Sequence, residues 1–346
     1  VIKEQCGNDD QNSYNCPVVT GYSAVVKSVQ ENAIPIDSPV ISFYDGNLLY
    51  KQCAEYLSSL GISKGIVLDA FLKAEEVQNS YTRDIAKQNQ ETLQLSQQAG
   101  NLTILLAGRP YHADPLIQHK VSNMLAEMGI DVITEDVIRE ESIDIKETHF
   151  LAQWSYPNRI MRAAKWCTAQ SNNVQLVQMT SFGCGPDAFM VDEVRDLMLR
   201  HNRAYTQLKL DDINNIGSMK LRVRSLVESL KIANNIRENI ATQEFVSTPN
   251  YSKQYRGRKI IVPFFTPFIS PLIPSVLRVA GYDVESLPMS NEESSEYGLK
   301  YANNEVCYPA TLIIGDVIKA LKSGKYSPSQ IAAGITQTGG QCRASN

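Results

Sequence analysis

Short apolar runs alternate with amphipathic helical segments from Asn101 to the end of the chain, and this alternation constrains the fold more than any other feature. In the first half of this region the runs predict strands over residues 102–108, 131–134, 174–180 and 204–211. The segments between and after them predict helices over residues 116–129, 156–170, 187–201 and 219–242. Regular alternation of this kind indicates an α/β fold with a parallel, doubly wound sheet.

A polar, turn-rich stretch at residues 248–259 separates this unit from a second and smaller one with the same layout. There, strands are predicted over 260–265 and 331–338, and the segment PLIPSVLRVAGYDVESL predicts a helix followed by a strand. A further amphipathic helix is predicted over 309–324, with Gly324 at its end. The sequence therefore predicts one α/β domain over residues 101–247 and another over 258–346.

Residues 1–100 have a different character, because helical patterns dominate and strand signals are few. Helices are predicted over 22–31 and 48–61, the second ending at Gly61, and Ser63 precedes a long helix that runs to about Gln98. We expect this mainly helical segment to be the remnant of an upstream domain. The chain opens on Val1 and stops soon after a cysteine turn, so we also expect it to be a piece of a longer polypeptide.

The amino-acid composition argues against nucleic acid, a membrane and a disulfide scaffold. The net charge is −4 and there is no basic run, which argues against nucleic acid. No apolar stretch approaches the roughly 18 residues that a membrane span needs. The seven cysteines are odd in number and widely scattered, which argues against a disulfide scaffold and for a reducing compartment, hence a cytoplasmic protein.

Three cysteines stand in turns marked by glycine or proline: Cys184 in FGCGPD, Cys307 in NEVCYPATL and Cys342 in TGGQCRASN. Cys184 and Cys342 follow predicted strands, and Cys307 precedes a predicted helix, so all three are expected at the carboxyl edges of parallel sheets. Thiolates on such loops are what an iron–sulfur cluster needs, and helix N-termini favour the thiolate. Two other interpretations are three buried free cysteines and a zinc site, although structural zinc sites usually have closely paired cysteines.

Other side chains near these turns have candidate roles. In the GRPYH segment, which follows a predicted strand, Arg109 could hold a phosphate or carboxylate, and His112 could act as acid or base or order the loop. Ser181 could donate a hydrogen bond to a cluster sulfur. Arg343 could lower the net charge of a cluster, bind substrate or pair with an acid.

These same motifs carry a family resemblance. FGCGPD, NEVCYPATL and TGGQCRASN, with GRPYH upstream, resemble the 2-hydroxyacyl-CoA dehydratase family. The closer resemblance is to the dehydratase-like module of its large relatives, the CoA-substrate-specific enzyme activases, which join ATPase modules to dehydratase-like ones. It extends from about residue 13 to the end of the chain.

The resemblance implies flavodoxin-like or Rossmann-like domains and a protein located in the cytoplasm of an anaerobe. It also implies a [4Fe–4S] cluster that Cys184, Cys307 and Cys342 hold, with one iron open; the family also includes double-cubane clusters, so nuclearity stays open. Cys16 resembles a family cysteine and is either a further ligand or a structural residue. In the dehydratases an ATP-hydrolysing activator drives one electron into the cluster, and the electron then passes to the acyl-CoA thioester.

The chain departs from the activase pattern in one respect, since it has no GxxxxGK[ST] motif and no other ATPase signature. An ATP-hydrolysing partner module is therefore expected elsewhere in the full protein. Two functions follow. The first is a dehydratase-like (lyase) component that performs reductive radical chemistry on a CoA thioester. The second is a non-catalytic electron-transfer or regulatory iron–sulfur module.

Overall fold

The chain forms two α/β units in the computed structural model, which describes residues 17–30, 34–43, 45–139, 141–149, 155–181, 185–210, 216–234, 244–246 and 251–335. The first unit comprises Val1–Phe182 and Val194–Phe245, and the second comprises Gly183–Glu193 and Val246–Asn346. Each unit contains a parallel sheet, which confirms the predicted α/β class. The helices described are all too short or too polar to cross a lipid bilayer.

The first unit is built on a parallel sheet whose described strands run in the order β2-β1-β3-β4. Its strands are β1 (Thr103–Ala107), β2 (Asp131–Thr134), β3 (Val174–Thr180) and β4 (Tyr205–Lys209). The helices in this part of the chain are α1 (Pro17–Val29), α2 (Gly46–Ser59), α3 (Lys64–Ala99), α4 (Val121–Glu127), α5 (Ser155–Thr168), α6 (Gly185–Arg200) and α7 (Ile216–Asn234). Leu105 of β1 pairs with Ile133 on one side and Leu176 on the other, so β1 is a central strand.

Strands β1 and β3 are buried along their whole length, which explains the apolar run of β1 after Thr103, whereas β3 also contains the buried Gln175 and Gln178. On one face, side chains of α4 and α7 pack on the sheet in a cluster that includes Ile104, Leu106, Val177, Met179, Leu208, Val121, Leu125, Val223 and Leu226. Helix α5 packs against β1 and β3. Because each strand is followed by a helix that returns along the sheet, all four carboxyl ends lie at one edge.

The long helix α3 is attached to this sheet. The Asn89 side chain accepts a hydrogen bond of 2.7 Å from the backbone N–H of Thr134 in β2, and the Ser96 and Thr103 hydroxyls lie 2.6 Å apart in the interior. The last part of the mainly helical segment predicted over residues 1–100 thus contacts the first sheet, and the predicted domain bounds stay a prediction.

The second unit repeats the layout with a smaller parallel sheet, in the order β6-β5-β7. Its elements are β5 (Lys259–Val262), α8 (Leu272–Val279), β6 (Val284–Ser286), α9 (Glu292–Tyr301), α10 (Tyr308–Lys322) and β7 (Ile331–Ala333). Ile261 of the central strand packs with Leu287 and Ala320. Helices α9 and α10 are in direct backbone contact at Gly298 and Gly315. A Cβ on either glycine would overlap a carbonyl oxygen of the facing helix.

Candidate functional site

The carboxyl ends of β1 and β3 lie side by side, and the chain leaves them in opposite directions across the sheet. Parallel α/β sheets bind ligands at such a topological switch point. Two predicted site segments lie here: the GRPYH segment follows β1 directly, and Ser181 follows β3. The structure thus brings Arg109, His112 and Ser181 to the same edge of the first sheet.

His112 is fully buried and uses both ring nitrogens. Its Nδ1 accepts a hydrogen bond of 3.0 Å from the backbone N–H of Arg109, and its Nε2 lies 3.1 Å from the Ser181 hydroxyl oxygen. A backbone N–H can only donate, so Nδ1 carries no proton and Nε2–H donates to Ser181. Burial, and next the charge of Arg109, lower the pKa of His112 to about 4, which keeps the imidazole neutral.

Two neighbours complete this arrangement. The Tyr111 hydroxyl lies 3.2 Å from the Ser181 hydroxyl, and the Tyr111 ring meets the His112 ring edge to face at 4.5 Å. Gly108 makes room for the imidazole, because a Cβ there would lie 2.7 Å from His112 Nδ1 and 3.1 Å from the Met179 methyl. The bonding pattern supports the loop-ordering interpretation of His112.

Cys307 of the second unit is the N-cap residue of α10, with Pro309 in the first turn, as the sequence predicted for this cysteine. Its carbonyl accepts a hydrogen bond of 3.0 Å from the Thr311 N–H, and its thiol is free and partly exposed. The thiol therefore stands at the N-terminal end of α10.

The chain next to Cys184 is joined to the chain next to Cys307. Helix α6 begins at Gly185, directly after Cys184. The Asn303 side-chain NH₂ donates a hydrogen bond of 3.2 Å to the carbonyl of Ala188, and both residues belong to the second unit. Asn303 stands four residues before Cys307, and Ala188 stands four residues after Cys184. The side-chain oxygen of Asn303, Oδ1, accepts a hydrogen bond of 2.9 Å from the Glu305 N–H, which fixes the loop in front of Cys307.

The remaining predicted site residues, which are Cys16, Cys184, Cys342 and Arg343, lie outside the described residues. Among the described residues, which leave out three of the candidate cysteines, no three His, Cys, Asp or Glu side chains come together as metal ligands would. Of the other described cysteines, Cys167 is fully buried and Cys53 is partly buried in α2.

Sequence reasoning missed Gly108, Tyr111 and Asn303 as parts of the candidate site. Gly108 and Tyr111 stand within GRPYH, and a glycine directly after a buried strand was a usable sign of close backbone approach. Nothing in the pattern around Asn303 distinguishes it from Asn304, because its partner Ala188 is more than a hundred residues away in the sequence.

Part of the chain matches a known protein family. The model of the family described as the CoA enzyme activase uncharacterised domain matches residues 1–138, a range that includes GRPYH and ends before Cys184. No curated protein and no solved structure matches the chain. The match agrees with the activase side of the resemblance and does not extend to the dehydratase-like motifs. Over residues 1–138 the chain is therefore similar to proteins related to the CoA enzyme activases.

Proposed function

We propose that this chain is the iron–sulfur, dehydratase-like component of an acyl-CoA dehydratase/activase-type protein. Cys184, Cys307 and Cys342 hold the cluster, a [4Fe–4S] centre or a relative of it. A module that hydrolyses ATP delivers the electron, and a CoA thioester is the substrate. The observation that carries this proposal is the hydrogen bond from Asn303 to Ala188, because it ties together the chain segments next to two of the three cysteines.

The described part of the ligand set fits an iron–sulfur cluster. Cys307 offers a free, partly exposed thiol at a helix N-terminus, and cysteine sulfurs are the usual ligands of iron in these clusters. When bound, such a cluster supplies a single electron at low potential. Cys16 and Arg343 are secondary candidates for this site.

Polar groups at the switch point of the first sheet form a second candidate site, which would bind the substrate. Arg109 stands beside the buried His112, where a guanidinium is suited to a phosphate or carboxylate of the substrate. Ser181 is held at the end of β3, from which its main chain leads into the FGCGPD turn. In this proposal Arg109 binds substrate and Ser181 supports the turn that carries Cys184.

The test is anaerobic reconstitution of the full-length protein with iron and sulfide, followed by metal and sulfide counts and EPR before and after reduction. Single Cys184→Ala, Cys307→Ala and Cys342→Ala variants are expected to lose iron. Cys53→Ala is the matched control, since Cys53 is also a free and partly buried thiol, but lies in α2. Iron that stays absent after reconstitution, or full iron in Cys184→Ala, would refute the assignment.

Adding an acyl-CoA to the reduced protein separates the two functions. A change in the EPR spectrum on addition of the thioester favours the dehydratase-like component, because it requires a substrate at or near the cluster. An unchanged spectrum, together with electron transfer to a second acceptor, favours the electron-transfer module.

A further inference from the structure

Tyrosine rings and arginine side chains form a cluster in the second unit, at the edge where the strands of its sheet begin. The cluster is called here the Tyr–Arg platform and consists of Tyr251, Tyr255, Arg256, Arg258 and Tyr282. The centroid of the Tyr251 ring lies 6.2 Å from each of the other two ring centroids. The Tyr251 hydroxyl also donates a hydrogen bond of 3.1 Å to the Tyr255 carbonyl, which fixes the ring in place.

Each arginine of the platform is held against a tyrosine ring. The guanidinium carbon of Arg258 lies 4.6 Å from the centroid of the Tyr255 ring, and that of Arg256 lies 5.4 Å from the centroid of the Tyr282 ring. A guanidinium that rests on a ring face keeps N–H groups at its edge available for a carboxylate or a phosphate. Within the part of the chain that the structure describes, neither guanidinium pairs with a carboxylate.

The acidic side chains at this edge of the sheet are already paired with lysines. The Lys259 ammonium lies 3.7 Å from the Asp283 carboxylate and 3.3 Å from the Glu285 carboxylate, and Lys325 also pairs with Glu285. Residues 251–259 contain four basic residues and no acidic one, in a chain whose net charge is −4. The two arginines of the platform therefore leave a local excess of positive charge, which attracts anionic groups.

The platform is open to a partner at the protein surface. Tyr251 is 42% exposed and Arg256 is exposed, whereas the other three side chains are half-buried. Tyrosine and arginine are enriched at protein–protein interfaces, where they often contribute most of the binding free energy. Rings that are packed on one another lose little conformational freedom on binding, so the platform is suited to a protein segment of opposite charge.

We propose that the Tyr–Arg platform is a docking site for an acidic protein segment that presents two or more carboxylates. The carboxylates accept hydrogen bonds from Arg256 and Arg258, and the aliphatic part of the segment packs on the exposed ring of Tyr251. This site does not depend on the proposed function. It lies where β5 and β6 begin, whereas Cys307 begins the helix that returns along the sheet to β7 and so belongs to the opposite edge.

Fluorescence anisotropy of a labelled peptide made of paired glutamates and single glycines tests the proposal with the full-length protein. The peptide with glutamine at every glutamate position shows whether the carboxylates are needed. The main variant combines Arg256→Gln with Arg258→Gln. Its matched control combines Arg222→Gln with Arg224→Gln, which removes the same charge from exposed positions of α7.

The variant that lacks both platform arginines is expected to bind the glutamate peptide at least about tenfold more weakly, because two charge-assisted hydrogen bonds are lost. Tyr255→Leu and Tyr282→Leu keep both charges but remove the rings beneath them, and should weaken binding by about two- to fivefold. The α7 control should stay within about twofold of the wild type. Raising the salt concentration should weaken binding in the wild type, because ions screen exposed charges.

Circular dichroism and urea unfolding of each variant show that a loss of binding does not come from a loss of fold. Equal affinity for the glutamate and glutamine peptides would overturn the proposal. So would an equal loss in the platform variant and the α7 control, since any exposed arginine would then suffice. A single-stranded oligonucleotide or ADP that binds the platform more tightly than the glutamate peptide would also overturn it, and would assign the site to nucleotide phosphates.

Discussion

At the scale of single residues, His112 links burial to pH dependence. Burial and the Arg109 charge lower its pKa to about 4, whereas an unfolded histidine titrates near 6.5. Above about pH 6.5 both states are neutral and the full stability is present. As the pH falls from about 6.5 toward 4, the unfolded chain takes up the proton and the folded chain does not, so folding loses stability.

We therefore expect the free energy of unfolding of the first unit to fall by about 3 kcal/mol at most across that window on account of His112. His112→Gln cannot take up this proton, so its decline over the same pH range should be shallower. Urea unfolding at a series of pH values between 4 and 7, for both proteins, measures the difference. Parallel curves would mean that His112 is not held neutral in the folded state.

Arg203 carries a buried charge, and its role is structural. Its guanidinium closes the loop between α5 and β3 by donating to the carbonyls of Gln170, Ser171 and Val174 and to the Asn172 side chain. Lysine keeps the charge but not the planar set of donors. Arg203→Lys should therefore lower the free energy of unfolding by about 3 kcal/mol.

Urea unfolding checks this value against Arg224→Lys, the same substitution at an exposed position of α7, where a change within about 0.5 kcal/mol is expected. A similar small loss in both variants would show that the charge alone matters at position 203 and that the hydrogen bonds of the guanidinium do not.

At the scale of elements, short and mainly apolar runs predicted the bounds of two strands. The prediction over 131–134 coincides with the partly buried β2, and the prediction over 174–180 coincides with β3, which is buried along its whole length although it contains two glutamines. The predicted strand over 260–265 ends earlier, at Val262, because Pro263 has no N–H for the ladder. Such runs carry their own boundary signals, so no knowledge of distant contacts was needed.

Helices were harder to delimit when backbone conformation or packing decided their ends. The helix predicted over 116–129 begins only at Val121, because His119 and Lys120 both adopt positive φ, which a helical pattern of side chains does not reveal. Helix α9 was not predicted at all. Its sequence, EESSEYGLKY, lacks a strong apolar stripe, and its glycine reads as a breaker. The glycine is needed for the close approach of α10.

This close approach makes a prediction about Gly315. A Cβ at that position would overlap the Ser294 carbonyl oxygen in α9, which is backbone and cannot move aside on its own. Gly315→Ala should therefore force α9 and α10 apart and destabilise the second unit by about 3 kcal/mol, even though alanine favours helix by itself. Hydrogen exchange of peptides from both helices measures the loss.

Gly257→Ala serves as the control, because a Cβ there meets nothing within 4 Å. Its exchange in α9 and α10 should match that of the wild type. Unchanged protection in Gly315→Ala would contradict the backbone contact between the two helices.

At the scale of the whole molecule, the second unit is assembled from distant parts of the chain, since Gly183–Glu193 groups with Val246–Asn346. The sequence predicted a strand end or a helix start for Cys184, Cys307 and Cys342, because turn chemistry is local, and the structure confirms the helix start at Cys307. It could not show which of these turns meet, because contacts between residues more than a hundred positions apart leave no local pattern. Asn303 and Ala188 supply one such contact, and Cys184 and Cys342 lie outside the described residues.

Asn303→Asp tests whether that contact joins the two cysteine-bearing segments. Aspartate keeps the oxygen that accepts from the Glu305 N–H but replaces the NH₂ group that donates to the Ala188 carbonyl with a second oxygen, which repels it. We expect peptides covering residues 185–193 to exchange hydrogen about two- to tenfold faster. The amount of iron retained after reconstitution should decrease in the same variant, if Cys184 and Cys307 share a cluster.

Asn173→Asp is the control. It makes the same chemical change in the first unit, where the Asn173 side chain donates to the Gly100 carbonyl at 3.4 Å, and it should leave both measurements unchanged. Unaltered exchange over 185–193 in Asn303→Asp would show that the start of α6 is held by other contacts, and would remove the observation on which the shared site depends.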